Sequence, residues 1–575
     1  MERGSIVIKL ANFRYQKASG DTLRQIDLEI KKGDFVGVMG RTGAGKTTVL
    51  MLLNGLIPHF FEGKFDGTVF SNTMNTRKYR VQTLARFIGL VMQDPETQIF
   101  GRTVEEDVAF GPSNFSFPRE RIDFLVRKSL ATVGLEGFEK RLASELSGGE
   151  KQRLAIAGVL AMEPEIIVLD EPTSELDPSG REEIYRLLSN LREKEGTTLI
   201  ISGHDTEEMA RYVDRLVVLD GGKVACDDVP ANILTDLDVM SRYGIRPLET
   251  VEMSDLIFAG NDAHVTATAA GEEEFVNKVS DIYSISAKKV EERGDLFSEG
   301  YSTPVIEVRD VSFSYGGEIL ALDHLNIGIG RGEFVALIGK NGAGKTTFSK
   351  LLNGLIRPNA GEVRINGRNI ERLTTTELSR EVGYVFQNPD HQIFSATVRD
   401  EVAFGLGQLH LPGAEIEKRV LAALRFVGLD GDSERHPFTL GKGERQKLAF
   451  ASILVMEPGI LVIDEPTTGQ DWDGTKRMLQ MIEDLHARGH TILAITHNMR
   501  LAVECADRII LFSNGRCLLD GSPTDVFSHP DLLSAAGVVP PLSARIGCRL
   551  KEKGLANAPF TMRGIVERMQ NVRVN

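Results

Sequence analysis

The chain has 575 residues, 42% hydrophobic, 26% charged and 7% aromatic, with 57 glycines and a formal charge of −14. That length exceeds one ordinary core and predicts about three to five structural units of soluble globular type. The acidic balance argues against a protein that wraps nucleic acid, though it leaves room for local basic patches; no apolar stretch reaches the roughly 18 to 20 residues of a membrane span, and the start lacks a signal-peptide core, so the chain is expected in the cytosol.

Taken in order, the chain opens with alternating residues, SIVIKLANFRY at 5–15, read as a strand. An apolar run, FVGVMG, then leads into GRTGAGKTT at 40–48. Strand, glycine-rich loop and helix in that order turn backbone N–H groups toward phosphate oxygens, and the helix N-terminus adds its partial positive charge. Gly40, Gly43 and Gly45 permit the close approach, Lys46 is expected to reach the β- and γ-phosphates, Thr47 to ligate Mg²⁺, and Thr48 closes the motif. Further on, IIVLDE at 166–171 reads as a buried parallel strand carrying two carboxylates out at its C-terminal end, where α/β sheets bind ligands. Asp170 fits the magnesium side and Glu171 suits an attacking water, with helix-capping acids before Pro172 as the alternative. His204 follows the strand-like run TTLIIS, which places it near the γ-phosphate unless it is structural.

The whole series then returns. GKNGAGKTT at 339–347 repeats the first loop at an offset of 299 residues and supplies Gly339, Gly342, Gly344, Lys345, Thr346 and Thr347. ILVIDE brings Asp464 and Glu465, TILAIT precedes His497, and VFQNPDHQIF matches VMQDPETQIF. Four units are therefore expected: 1–245, an acidic linker at 246–303, 304–545 and a tail at 546–575. The linker carries four basic against twelve acidic residues from 247 to 303, a formal −8, and shows no long apolar periodicity; it is a linker or a small appendage. Within the tail, VERMQNVRVN reads as a short helix. The four cysteines form no C-x-x-C pair, so neither a zinc site nor a disulfide framework is expected.

One further segment is more specific. LSGGEKQRLAIAGVLAMEP at 146–164 resembles the signature motif of the ATP-binding cassette (ABC) proteins, and the resemblance covers both halves, including Gln93 and Gln387 between the two phosphate-site motifs. It implies an α/β fold: two P-loop ATPase domains, each with a mixed or parallel core sheet, an antiparallel β subdomain and a helical signature subdomain. It also implies a pseudo-dimer of the two halves, head to tail, each ATP lying between the glycine loop of one and the signature of the other. Gln93 and Gln387 would join Thr47, Asp170, Thr346 and Asp464 at Mg²⁺, and Glu171, Glu465, His204 and His497 would be catalytic. Tyr15 and Tyr315 would stack on adenine, with a core or strand-edge tyrosine as the alternative, and Ser147, Gly149 and Gly443 would hold phosphate from the facing half. Asp177 and Asp471 match the loop that crosses the dimer interface. The halves differ: LGKGERQ at 440–446 puts Gly441 and Lys442 where the first half has Ser147 and Gly148. A lost charge-assisted hydrogen bond is worth about 1.5 to 3 kcal/mol, so the site that receives the altered signature, with Lys46 and Glu171, is expected to be the weaker.

The segments QDPETQIFGRTVEEDVAFG and QNPDHQIFSATVRDEVAFG resemble energy-coupling factor (ECF) importers, in which paired ATPases serve a transmembrane coupling protein and a small substrate-capture protein on separate chains. There Gln98 and Gln392 flank a groove for the coupling helices, and Phe100 and Phe394 either line it or belong to the core. The resemblance implies peripheral attachment to the cytoplasmic side of the cell membrane through those partners and a vitamin or metal cation as cargo. The rivals are a tandem cassette acting on the ribosome, disfavoured by the acidic linker, and a motor for another transporter type.

Overall fold

The computed structural model describes residues 2–16, 18, 20–174, 176–258, 273, 275–277, 279–281, 304–317, 320–409, 411–553 and 558–573. They divide into two compact units at 252/253. In the first, a four-stranded antiparallel sheet has the order β2 (Leu23–Ile30), β1 (Ile6–Tyr15), β4 (Gly63–Ser71), β5 (Met74–Asn75). A six-stranded sheet runs β10 (Lys223–Asp228), β9 (Arg215–Asp220), β3 (Phe35–Met39), β8 (Thr198–Ser202), β7 (Ile166–Asp170), β6 (Ile88–Val91), parallel except for β10. The second unit repeats both: β12 (Leu322–Gly330), β11 (Pro304–Phe313), β14 (Ala360–Ile365), β15 (Arg368–Asn369), and β16 (Val382–Val385), β17 (Ile460–Asp464), β18 (Thr491–Ile495), β13 (Phe334–Ile338), β19 (Arg508–Ser513), β20 (Arg516–Gly521).

Burial explains the two strand patterns. In β3, β7 and β8 every residue is buried, as strands covered on both faces require, so their sequences are unbroken apolar runs. β2 instead alternates buried and exposed positions because only one face of the antiparallel sheet meets the core. A helical part packs beside each six-stranded sheet: Val104–Asn114, Arg119–Thr132 and Gly148–Leu160 in the first unit, Val398–Ala403, Gly413–Val427 and Lys442–Leu454 in the second.

Linker and tail have more structure than their sequences convey. Of the linker 246–303, residues 259–272, 274, 278 and 282–303, with most of TATAAGEEEF at 266–275, lie outside the described residues. Yet 249–258 are helical, and Met253, Ile257, Phe275, Val276 and Val279 form one buried cluster with Leu542, Ile546, Leu550, Ala558, Met562, Ile565 and Val566. The expected boundary at 545/546 falls inside the helix Leu542–Glu552, and the expected tail helix runs Met562–Arg573. Periodicity missed this core because each stretch supplies only two to four apolar residues; they become a core only when brought together. Arg549 Nε donates to Asn277 Oδ1 at 3.0 Å across it. Replacing the buried Phe275 by Ala should cost about 3 kcal/mol or more there. The check is hydrogen exchange, which should accelerate in Leu542–Glu552 and leave 1–245 unchanged; unchanged exchange in Leu542–Glu552 would contradict the shared core.

Candidate functional site

Both glycine loops leave the C-terminal ends of buried strands, β3 and β13, and all three glycines of each have left-handed φ: +137°, +81° and +103° at Gly40, Gly43 and Gly45, +141°, +78° and +103° at Gly339, Gly342 and Gly344. At Gly40 a Cβ would lie 2.2 Å from the Leu219 carbonyl oxygen and at Gly339 2.3 Å from that of Phe512, so neither position admits another residue. The helices that follow, Lys46–Leu53 and Lys345–Leu352, begin at Gly45 and Gly344 with no side-chain cap, which leaves their first N–H groups suited to an anion. Lys46 Nζ donates to the Gly40 carbonyl at 3.0 Å, 3.6 Å from Glu171 Oε1 and 3.4 Å from His204 Nε2. Three separate motifs of the first half thus meet at one ammonium. In the second, Lys345 Nζ donates to Gly339 O at 2.6 Å and Lys340 O at 3.0 Å.

Glu171 and Glu465 each follow the last residue of a buried strand with φ of +45° and +49°, a conformation a glutamate adopts only when its surroundings enforce it. The Glu171 N–H donates to the Ser202 carbonyl at 3.1 Å and that of Glu465 to the Ile495 carbonyl at 2.9 Å, fixing both turns. Each glutamate lies 3.4 Å from its histidine, His204 or His497. His497 also donates its backbone N–H to Glu465 Oε2 at 3.2 Å, and its Nε2 lies 2.9 Å from Asn341 Oδ1.

Asp170 and Asp464 are buried at 6% and 4% exposure. Burial pushes both carboxyls above the usual range, opposed at Asp170 by hydrogen bonds from Ser202 and Thr47 and at Asp464 by Tyr384, Lys345 and Thr346. A cation relieves that desolvation, and a carboxylate beside a threonine hydroxyl is an oxygen set suited to Mg²⁺. Among the described residues no three His, Cys, Asp or Glu side chains cluster as a metal cage, so an ion here would draw further oxygen ligands from water, phosphate or a neighbouring amide. Gln93 Nε2 donates to Glu171 Oε2 at 3.1 Å, whereas Gln387 is exposed beyond the end of β16. Tyr15 and Tyr315 each place the hydroxyl 3.2 Å from a loop-helix threonine, Thr48 or Thr347. The Tyr315 ring is exposed.

The signature residues stand on the helical parts. Ser147 caps the helix Gly148–Leu160 in a reciprocal box with Glu150, while at Gly441 only the backbone N–H remains, donating to Glu444 Oε2 at 2.9 Å. Lys442 Nζ lies 3.3 Å from where a Cβ on Gly469 would stand, over its own unit's loop after β17. Asp177 and Asp471 cap the helices Pro178–Glu195 and Trp472–Ala487, each accepting a backbone N–H at 2.8 Å.

With this geometry in place, the ABC transporter family model matches the chain twice, at residues 23–174 and 322–468. The chain belongs to the ABC transporter family. It is 40% identical over 551 residues to a protein of Caldanaerobacter subterraneus assigned as an ABC transporter ATP-binding protein, 94% of this chain and 96% of that one. Proteins with the same assignment in Methanosarcina mazei and Vibrio vulnificus are 39% and 34% identical, over 95% and 92% of this chain and 94% and 91% of theirs. A solved structure, cbiO1 of Clostridium perfringens, part of the ABC transporter complex cbiONQ, is 32% identical and matches 40% of this chain and 94% of that one with a TM-score of 0.37. The chain is therefore an ATPase with two ABC domains, and no helix among the described residues is long and apolar enough to cross a membrane.

A charged group beside His204 carries no motif of its own in the sequence. Asp205 accepts from Thr173 Oγ1 and, at 3.2 Å, from Arg181 Nη1, and burial followed by the Asp205 charge pushes the Glu208 carboxyl up to about 7. The second half has Thr475, Asn498 and Leu501 at these places, so only comparison of the halves exposes the group. Because the folded-state value lies above that of the unfolded chain, the cost of ionising Glu208 is absent below about pH 4.5 and complete above about pH 7. Glu208→Gln should raise the thermal midpoint of this ABC ATPase at pH 8, with the gain fading toward pH 5; equal gains at both would contradict the shift.

Proposed function

We propose that the chain is the ATP-binding and ATP-hydrolysing subunit of an ECF-type importer, driving uptake of a micronutrient through a transmembrane coupling protein and a substrate-capture protein on other chains. The observation that carries this reading is an exposed aromatic pair at the same place in each half. Phe100 is 72% and Phe394 62% exposed, so neither is a core residue. Phe100 stacks on Phe110 with centroids 5.6 Å apart and Phe394 meets Phe404 edge-on at 4.6 Å. Apolar rings on an ordered surface mark an interaction site.

Their support is built. Buried Asp107 accepts from the N–H groups of Phe100 and Gly101 at 2.7 and 2.9 Å, and buried Glu401 from those of Phe394 and Ser395 at 3.0 and 2.8 Å. Gln98 accepts from Met92 N–H at 2.7 Å and donates to the Leu90 carbonyl at 2.9 Å, beside Gln93, which reaches Glu171. A membrane partner seated on the rings would thus bear on the segment that leads to the hydrolytic carboxylate.

In this reading the glycine loops with Lys46 and Lys345 bind the triphosphate and Tyr15 and Tyr315 the adenine. Thr47, Asp170 and Gln93, and Thr346, Asp464 and Gln387, hold Mg²⁺, which when bound neutralises charge on the phosphates. Glu171 and Glu465 orient the attacking water, and His204 and His497 stand by the γ-phosphate. The halves pair head to tail, so the Lys345 site receives Ser147 and Gly149 and dominates, while the Lys46 site receives Gly441, Lys442 and Gly443. The chain is then held peripherally on the cytoplasmic face of the cell membrane by its partners.

The test is to purify the chain with its native membrane partners and compare ATP hydrolysis in Glu465→Gln and Glu171→Gln. A loss at least tenfold larger from Glu465→Gln supports the unequal motor. Equal losses contradict that inequality, and a preparation without membrane partners contradicts the importer.

A further inference from the structure

Among the buried polar groups, the two metal-side aspartates are held from opposite neighbours. In the first unit Asp170 lies in register with Ser202 on β8, and Ser202 Oγ donates to its Oδ1 at 2.5 Å. In the second, the register partner of Asp464 on β18 is Ile495, which carries no hydroxyl. The missing donor comes from the other side of the strand: Tyr384, on β16, donates its hydroxyl to Asp464 Oδ2 at 3.1 Å. Behind it, Ser349 on the glycine-loop helix places its Oγ 3.1 Å from the tyrosine hydroxyl. The first half has Leu90 and Leu50 at those two positions, so donor and apolar residue are exchanged as a set.

Every group in this chain is buried: Ser349 is 0%, Tyr384 6% and Asp464 4% exposed. An ionised Asp464 accepts only, so the tyrosine proton points to the carboxylate, while the Ser349 hydroxyl donates to the Thr346 carbonyl at 2.9 Å and sets its oxygen behind the phenol. A hydrogen bond to a charged, buried acceptor is among the stronger kinds, and it fixes which carboxylate oxygen faces the loop.

We infer that Tyr384, backed by Ser349, is a positioning residue that orients Asp464 for the divalent cation of the second ATP site, in the place Ser202 holds for Asp170. This rests on the proposed role of Asp464 as a metal-side ligand. Because Tyr384 lies on the strand that ends before Gln387, the second site's metal carboxylate is tied to the strand leading to Phe394, whereas in the first unit the corresponding tie runs from Gln93 to Glu171.

The experiment uses the full chain carrying Lys46→Ala, so that nucleotide is read at the second loop. Mn²⁺ replaces Mg²⁺, and its binding with ATP is followed by electron paramagnetic resonance alongside metal-free ATP affinity. Tyr384→Phe, which keeps the ring, should raise the half-saturating Mn²⁺ about tenfold and leave metal-free ATP affinity unchanged. Tyr384→Leu should do the same, and adding Ile495→Ser to it, which transplants the first unit's arrangement, should restore most of the loss. If Asp464→Asn weakens Mn²⁺ binding while Tyr384→Phe does not, or if Ile495→Ser gives no rescue, the inference is overturned. If Asp464→Asn leaves Mn²⁺ binding intact, the role of the aspartate itself is overturned.

Discussion

Backbone amides grip a triphosphate only where several of them converge without a side chain in the way, and this requirement sets the rest of the architecture. Three left-handed glycines turn the chain sharply at the end of a buried strand, and the uncapped helix begins at once. Such a turn is costly in free chain and must be braced from outside. Gly40 packs against the carbonyl of Leu219 on β9 and Gly339 against that of Phe512 on β19, so the neighbouring parallel strand is the brace. The same sheet brings out the aspartate–glutamate pair and the histidine at the ends of the next two strands. The groups proposed for phosphate binding and water activation are thus placed by one strand order.

On this shared frame the two halves have diverged where a single contact allows it. Ser147 closes a capping box and Gly441 does not; Asp205 joins Arg181 and Thr173 while Asn498 caps its own helix; Asp170 is steadied by a serine and Asp464 by a tyrosine. Each exchange keeps a backbone or carboxylate in place and alters the charge or hydroxyl around it.

Much of this is legible in the sequence. Repetition located the loops, the carboxylate pairs and the histidines, because their chemistry needs particular residues at fixed spacing after an apolar run. Other features were hidden for physical reasons. Asp107 and Glu401 look like ordinary first-turn helix acids, yet both are buried and hold the loops that expose Phe100 and Phe394. Tyr384 differs from Leu90 by one residue in a strand that otherwise reads as core. The cluster of Met253, Phe275, Leu542 and Ile565 draws on segments hundreds of residues apart, beyond the reach of any local period.

In the proposed motor one chain carries two ATP sites of unequal competence. The most direct measurement is single-turnover trapping with a photoreactive 8-azido-ATP and orthovanadate in the assembled complex, followed by mapping of the labelled peptide. Label is expected to concentrate near Tyr315 and the loop of Lys345, with several-fold less near Tyr15. Equal labelling of both peptides, or label concentrated near Tyr15, would contradict it.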